Sequence, residues 1–382
     1  MSTIPLDYQT LRILWWALLG ILLIGFAVMG GRDLGVGTLL PFVAKTDEER
    51  RVLINLVGPT WEGNQVWLIL GGGAIFAAWP QLYAVSFSGF YIAMIAILLA
   101  LIIRPVGFKF RGKVSDPRWR ATWDTALFIG GFLPALIFGV AVGNVFLGAP
   151  FQLDVTQRIT YSGNFFGLLT PFALLCGLVS LSMIVTQGAA VIAGRTDGEI
   201  AERARKYGRW SALATIVLFV IGGLLVLYVL EGYRLIGPPR TIAPSNPLGK
   251  EVVREVGAWG GNYGAMPWTM ALPILALFGS IVAWWALGAR ARLVALLGSS
   301  LAIFGIIATA GLSLFPFLLP SSIDPQSSLT VWDASSSQLT LFVMLCAAIV
   351  FLPIIILYTS WVFRVMRGPV TTASLNKNPN AY

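Results

Sequence analysis

The run WEGNQVWLILGGGAIFAAWPQLYAVSFSGFYIAMIAILLALIIR, residues 61–104, has a carboxylate at its start, Glu62, a guanidinium at its end, Arg104, and no charged residue between them. A helix at a water surface needs a polar face, and this run has none to offer. One bilayer crossing uses about 20 apolar residues, so the run is long enough for two. Trp79, Pro80 and Tyr83 mark the place where the chain turns between them. Tryptophan and tyrosine favour that depth because their rings sit well at the membrane–water boundary.

The same pattern extends in both directions. Apolar spans fall at roughly 11–40, 53–78, 82–104, 122–147, 163–193, 209–231, 266–288, 293–317 and 338–363. The reading is an all-α integral membrane protein of about nine transmembrane helices, a single polytopic domain over residues 1–382. Composition agrees: 57% of residues are hydrophobic and 11% charged, against about 25% charged in a soluble domain. Residues 232–265 form a long proline-bearing connection, in which Lys250–Val256 suggests a short surface helix. GxxxG spacing at Gly31 and Gly35, and at Gly139 and Gly143, predicts close helix crossings.

Charge gives the orientation. With the N-terminus outside, the inner loops and tail hold nineteen of the 26 basic residues, Lys377 among them, and the outer loops hold Arg158, Arg234, Arg240, Lys250 and Arg254. This matches the positive-inside rule, which an even number of spans would break. The net charge of +9 therefore reflects topology, and no nucleic-acid partner is expected. The first span is not read as a cleaved signal peptide, because its run is too long and its basic residues follow it.

Histidine is absent. That removes the commonest haem and metal ligand and the commonest general base. Cys176 and Cys346 stand alone in apolar runs, so no metal site is expected.

Charges within spans are costly and usually face a partner, a cavity or a proton path. Glu62 opens the second span, with Asn64 and Gln65 able to hydrogen-bond and Trp61 and Trp67 as apolar walls. Its plain structural role is to complement a helix dipole in the first turn; its functional role is to carry a proton. Asp33, in GGRDLGVG, can face the interior near Glu62, while Arg32 reaches for the interface. Arg104 and Asp124, bracketing a basic inner loop, read as interfacial.

Several stretches carry a resemblance: LDYQTLRILWWALLGILLIGFAVMGGRDLGVG, WEGNQVWLILGGGAIFAAWPQLYAVSFSGFYIAM, RPVGFKFRGKV, ATWD, GNFFGLLTPFALLCGL, SNPLGKEVVREVGAW, FPFLLPSS and SSLTVWDASSSQLTL. In this order, over nearly the whole chain, they resemble subunit II of cytochrome bd-type ubiquinol oxidases, the cyanide-insensitive branch included. The resemblance implies two four-helix bundles plus one peripheral helix, in the bacterial cytoplasmic membrane. It implies a respiratory complex that oxidises ubiquinol, reduces dioxygen with cytoplasmic protons and separates charge. Haem b and haem d (or b) are expected in the partner, subunit I. A structural quinone in this chain, small single-helix subunits and membrane lipid are further expected partners. Carried over by position, the proton path is Glu62, Trp61, Asp33, Asn64 and Gln65.

Two departures stand out. The family's DGFDLG or DGFDMG is here Gly30-Gly31-Arg32-Asp33-Leu34-Gly35, so one acidic position is lost and a cation gained. Glu62 stands where the family commonly has aspartate. The competing class is a secondary transporter or channel, which would need a polar midplane site; this sequence offers few polar groups there and no clear internal repeat.

Overall fold

The computed structural model describes residues 4–371 and Leu375; Lys377 lies outside them. The chain begins with α1, Tyr8–Val43, whose first turn is capped by the Asp7 side chain accepting from the Thr10 amide. A short helix α2, Asp47–Val57, follows, started by a reciprocal capping box between Thr46 and Glu49. Then come α3 (Trp61–Ala78), α4 (Pro80–Gly89), α5 (Tyr91–Phe110) and α6 (Pro117–Leu147). A hairpin of β1 (Phe151–Leu153) and β2 (Ile159–Tyr161) leads to α7 (Pro171–Arg195) and α8 (Gly198–Tyr228). Next are β3 (Glu231–Ile236), β4 (Glu251–Val256), α9 (Gly261–Ala265), α10 (Ala271–Gly288) and α11 (Arg292–Leu314). The strands β5 (Phe317–Leu319) and β6 (Leu329–Thr330) precede the last long helix, α12 (Gln338–Val365).

Among the described residues, eight helices are long and apolar enough to cross a membrane: α1, α5, α6, α7, α8, α10, α11 and α12. The ninth crossing is α3. Its 18 residues cover about 27 Å at 1.5 Å per residue, and it packs along α1. Its opening, WEGNQ, is polar.

The span expected over 53–78 is two helices. Gly58 and Pro59 interrupt it, since proline cannot donate to the preceding turn and restricts the residue before it. Its first part, α2, is amphipathic and buries Val52, Leu53, Ile54, Leu56 and Val57. The span expected over 82–104 is α4 plus α5, bent at Phe90 and continuing to Phe110. Residues 163–170, expected in the fifth span, form a connection before α7. The segment expected as a surface helix, Lys250–Val256, is instead strand β4 paired antiparallel with β3, Tyr233 opposite Arg254; its valines fit a half-buried pleated ribbon.

The helices form two four-membered groups. α1, α3, α5 and α6 pack together, as do α7, α8, α10 and α11, and α1 and α6 join the groups by packing on α7. α12 touches only α1 and α3 among its larger contacts. Glycine sets the closest crossing: a Cβ at Gly35 would lie 2.2 Å from the Ile184 carbonyl oxygen, and one at Gly188 would lie 2.3 Å from the Gly35 backbone. Gly139 and Gly143 likewise admit the backbone of α7 at Cys176 and Ala173.

One end of the molecule is closed by Arg12. Its guanidinium is wholly buried, stacks 3.6 Å over the Tyr8 ring, and donates to Ser335 Oγ, Ser245 Oγ and the carbonyls of Thr241 and Ala243. Beside it, Lys250 and Asp333 pair at 3.0 Å. Burial pushes the Lys250 ammonium below its usual range and the Asp333 carboxyl above its own, each opposed by the other's charge. These contacts fasten the long 237–250 and 331–337 segments to α1.

Candidate proton site at the Asp33 end of the first bundle

The GGRDLGVG turn sends its two charges in different directions, as adjacent residues on a helix must. Arg32 lies 4.5 Å over the Phe363 ring of α12. Asp33 points into the bundle, where its carboxylate accepts from Asn64 Nδ2 at 2.9 Å. Both Asp33 and Asn64 are 1% exposed. Asn64 reaches this position because α3 restarts at Trp61 and lies along α1.

Arg104, near the end of α5, is also buried. Its aliphatic stem occupies the space opposite Gly130 of α6, where a Cβ would come within 2.5 Å of Arg104 Cγ. Arg104 and Arg32 supply positive potential around the Asp33 carboxyl. Asp33 and Arg104 both line a narrow cleft of about 10 Å³ between α1, α2, α5 and α6, whose other walls include Leu53, Ile54, Val57, Phe108 and Leu127. Asp33 Oδ1 and Arg104 Nη2 are buried without a hydrogen-bond partner among the described residues. The arrangement is an ionisable carboxyl, held by one amide, with unspent hydrogen-bonding capacity beside a narrow opening. Such a group can exchange a proton with a water or a neighbouring acid.

Trp61 is buried and packs against Phe108, ring centroids 5.8 Å apart. It walls the cleft region rather than the Glu62 carboxyl. Gln65 is half-buried, with Nε2 unpartnered. Glu62 is exposed and faces away from the bundle. The structure thus brings Asp33, Asn64 and Arg104 together and leaves Glu62 on the outer face of α3. Arg104 was read from sequence as interfacial; its signal was a lone arginine before Pro105 at the end of a long apolar run. A second buried polar node escaped the sequence reading altogether. Gln187 of α7 donates to the Val28 carbonyl and to Ser300 Oγ, and accepts from Ser299.

Asp124 takes no part in the cleft. It accepts from Arg111 Nε at 2.6 Å and Arg50 Nη1 at 2.8 Å, while Asp47 accepts from Arg111 and Arg120. This cluster pins α2 to the ends of α5 and α6.

The sequence pattern of one family, cytochrome bd terminal oxidase subunit II, matches residues 11–366. The chain belongs to the cytochrome bd terminal oxidase subunit II family. It is 48% identical over 376 residues to the cytochrome bd-I ubiquinol oxidase subunit 2 of Escherichia coli (strain K12), covering 98% of this chain and 99% of that one. It is 46% identical, with the same coverage, to the probable cytochrome oxidase subunit 2 of Haemophilus influenzae. A chain in the structure of bd oxidase from Geobacillus thermodenitrificans shares the fold, with a TM-score of 0.69 at 16% identity over 93% of this chain and 98% of that one. Membership as a bd oxidase subunit II sets aside the transporter or channel reading and makes this a multi-pass subunit of an oxidoreductase complex that carries haem and includes a subunit I.

This bd oxidase subunit II lacks the commonest axial ligand of haem iron. The chain has no histidine, and its two cysteines lie on different helices, Cys176 on α7 behind the α6 crossing and Cys346 exposed on α12.

Proposed function

We propose that this subunit braces the haem-bearing subunit I of a quinol oxidase in the bacterial cytoplasmic membrane and carries protons to it from the cytoplasm. Its N-terminus is outside and its C-terminus inside, a reading supported by the segregation of its basic residues. The observation that carries the proposal is the Asp33–Asn64 pair at the Arg104 cleft. A buried carboxyl with one fixed hydrogen bond, one free oxygen and a cationic neighbour is suited to accept and release a proton without leaving its place.

Glu62 is the exit carboxyl in this reading. A carboxylate turned from a membrane helix toward lipid would be costly, so its outward face belongs against the partner subunit. Asn64 and Gln65, on the same helix, can hold water between the two acids. Asp33 then receives the proton through the cleft, and Glu62 hands it toward the site in subunit I where dioxygen is reduced. The haems supply the electron and oxygen chemistry there.

The test is quinol-driven oxygen consumption per assembled haem. Glu62→Gln keeps size and removes the acid, and turnover should fall by about 10²-fold, the scale of a lost acid–base group. Glu62→Asp should retain substantial activity. Full turnover of an assembled Glu62→Gln enzyme would show that this carboxyl is not needed.

A further inference from the structure

A second cleft, of about 430 Å³, opens between α8 and α10 where both helices leave the apolar region. Its rim carries Arg205, Lys206, Arg209 and Arg290 against one acid, Glu202. Glu202 is engaged by Arg205 at 2.7 Å and Arg290 at 2.9 Å. Lys206 and Arg209 form no ion pair among the described residues. The Arg209 guanidinium lies 4.9 Å over the Trp284 ring, and its Cζ and Nε rest against Gly288, where a Cβ would stand 3.4 Å from them. Stacking of this kind fixes the plane of an arginine and leaves its N–H edges free for an anion. Arg290 stands on the same rim. It holds a left-handed backbone, φ 58°, where glycine or asparagine is the cheaper residue.

Below the cationic rim the surface turns apolar. Leu213, Val217, Val220 and Leu224 are exposed along α8, and Ile274, Phe278, Ile281 and Trp285 along α10. The spacing of three and four puts each set on one helix face. Charge above, a tryptophan on each side, and two apolar stripes running into the hydrocarbon match a phosphate headgroup with its acyl chains.

We infer that this cleft is a binding site for one acidic glycerophospholipid, whose phosphate sits between Lys206 and Arg209 and whose chains follow the α8–α10 stripes. A zwitterionic lipid lacks the net negative charge the rim selects. A free phosphate ion has the charge but not the chains.

The experiment uses the whole oxidase complex, purified with its lipids and probed by native mass spectrometry during stepwise delipidation with phosphatidylglycerol or phosphatidylcholine added back. Each basic residue near an acidic lipid surface is worth roughly fivefold in affinity. The double variant Lys206→Gln with Arg209→Gln should therefore weaken retention of one phosphatidylglycerol by about 30-fold and leave phosphatidylcholine unaffected. Phosphatidylglycerol with brominated chains should quench tryptophan emission, and Trp210→Phe with Trp284→Phe should lose that part of the quenching. Haem spectra verify assembly of each variant, and a milder Arg209→Lys variant should bind to an intermediate degree. Equal retention by wild type and the double variant would overturn the inference. So would displacement of the bound lipid by inorganic phosphate alone, equal preference for phosphatidylcholine, or density of another subunit covering Arg209 and Trp284 in the intact complex.

Discussion

Arg12 and Asp33 are both buried charges on α1, about a bilayer thickness apart, and they are treated in opposite ways. Every nitrogen of the Arg12 guanidinium is partnered, with hydrogen bonds to two hydroxyls and two carbonyls and a tyrosine ring beneath it. Asp33 has one hydrogen bond, one unpartnered oxygen, and a neighbouring arginine whose Nη2 is also unpartnered. A buried charge whose partners are all supplied by the protein has nothing left to exchange, so its work is to hold segments together. A buried charge left partly unsatisfied beside a cleft keeps capacity for water or a proton. The Arg12 end of α1 is a fastening, and the Asp33 end is where the proposed proton path would exchange.

That contrast is broken most directly at Arg12. Arg12→Ala leaves four acceptors and an apolar hole, and removing one member of a buried charged network typically costs about 3–5 kcal/mol. Assembled, haem-containing complex should drop steeply, while turnover per remaining haem stays near wild type. A normal yield of Arg12→Ala complex with impaired turnover would reverse the assignment of the two ends.

Asp33→Asn should do the opposite. It keeps the shape and a hydrogen bond with Asn64, so yield and haem spectra are expected to persist. Turnover should fall on the 10²-fold scale of a missing proton carrier. Stopped-flow measurement of proton uptake would sharpen this, with uptake slowing in step with oxygen consumption. Unchanged uptake in Asp33→Asn would move the path elsewhere in the subunit.

A smaller effect is expected from Glu49, a saturated carboxyl close to the inner cleft. Burial by itself would raise its pKa, but the amides of Lys45 and Thr46 and the Arg203 guanidinium outweigh this and hold it below the ordinary carboxylate range. A depressed folded pKa contributes stability above the unfolded value, about 4.3, and loses it as pH falls through the folded value. Glu49→Gln should thus lower the thermal midpoint of the complex at neutral pH by the equivalent of about 0.5 kcal/mol, the scale of a part-exposed ion pair. The difference from wild type should shrink in acid. A difference independent of pH would mean that Glu49 acts through packing alone.

The sequence by itself determined the membrane crossings, the bias of the basic residues and the family. Apolar length is a local property: a run such as Gln338–Val365 must find hydrocarbon wherever it sits in the fold. Local chemistry also marked Asp33, Asn64 and Gln65 as unusual, because polar groups in such runs are expensive. It did not say which of them meet. Asp33 and Asn64 are 31 residues apart, and their contact depends on α3 restarting after Gly58–Pro59 in register with α1. Arg104 joins them only because α6 presents Gly130 opposite its stem. Glu62, two residues before Asn64, faces outward for the same reason that Asn64 faces in, since a helix turns about 100° per residue. The β3–β4 ribbon and the Arg12 fastening were hidden in the same way. Lys250–Val256 carries the mixed pattern of a short helix until β3 pairs with it, and nothing local to Arg12 announces the loops more than two hundred residues away that close over it. Which polar groups are left unsatisfied, and so available for chemistry, is set by such distant neighbours, and only the tertiary structure decides it.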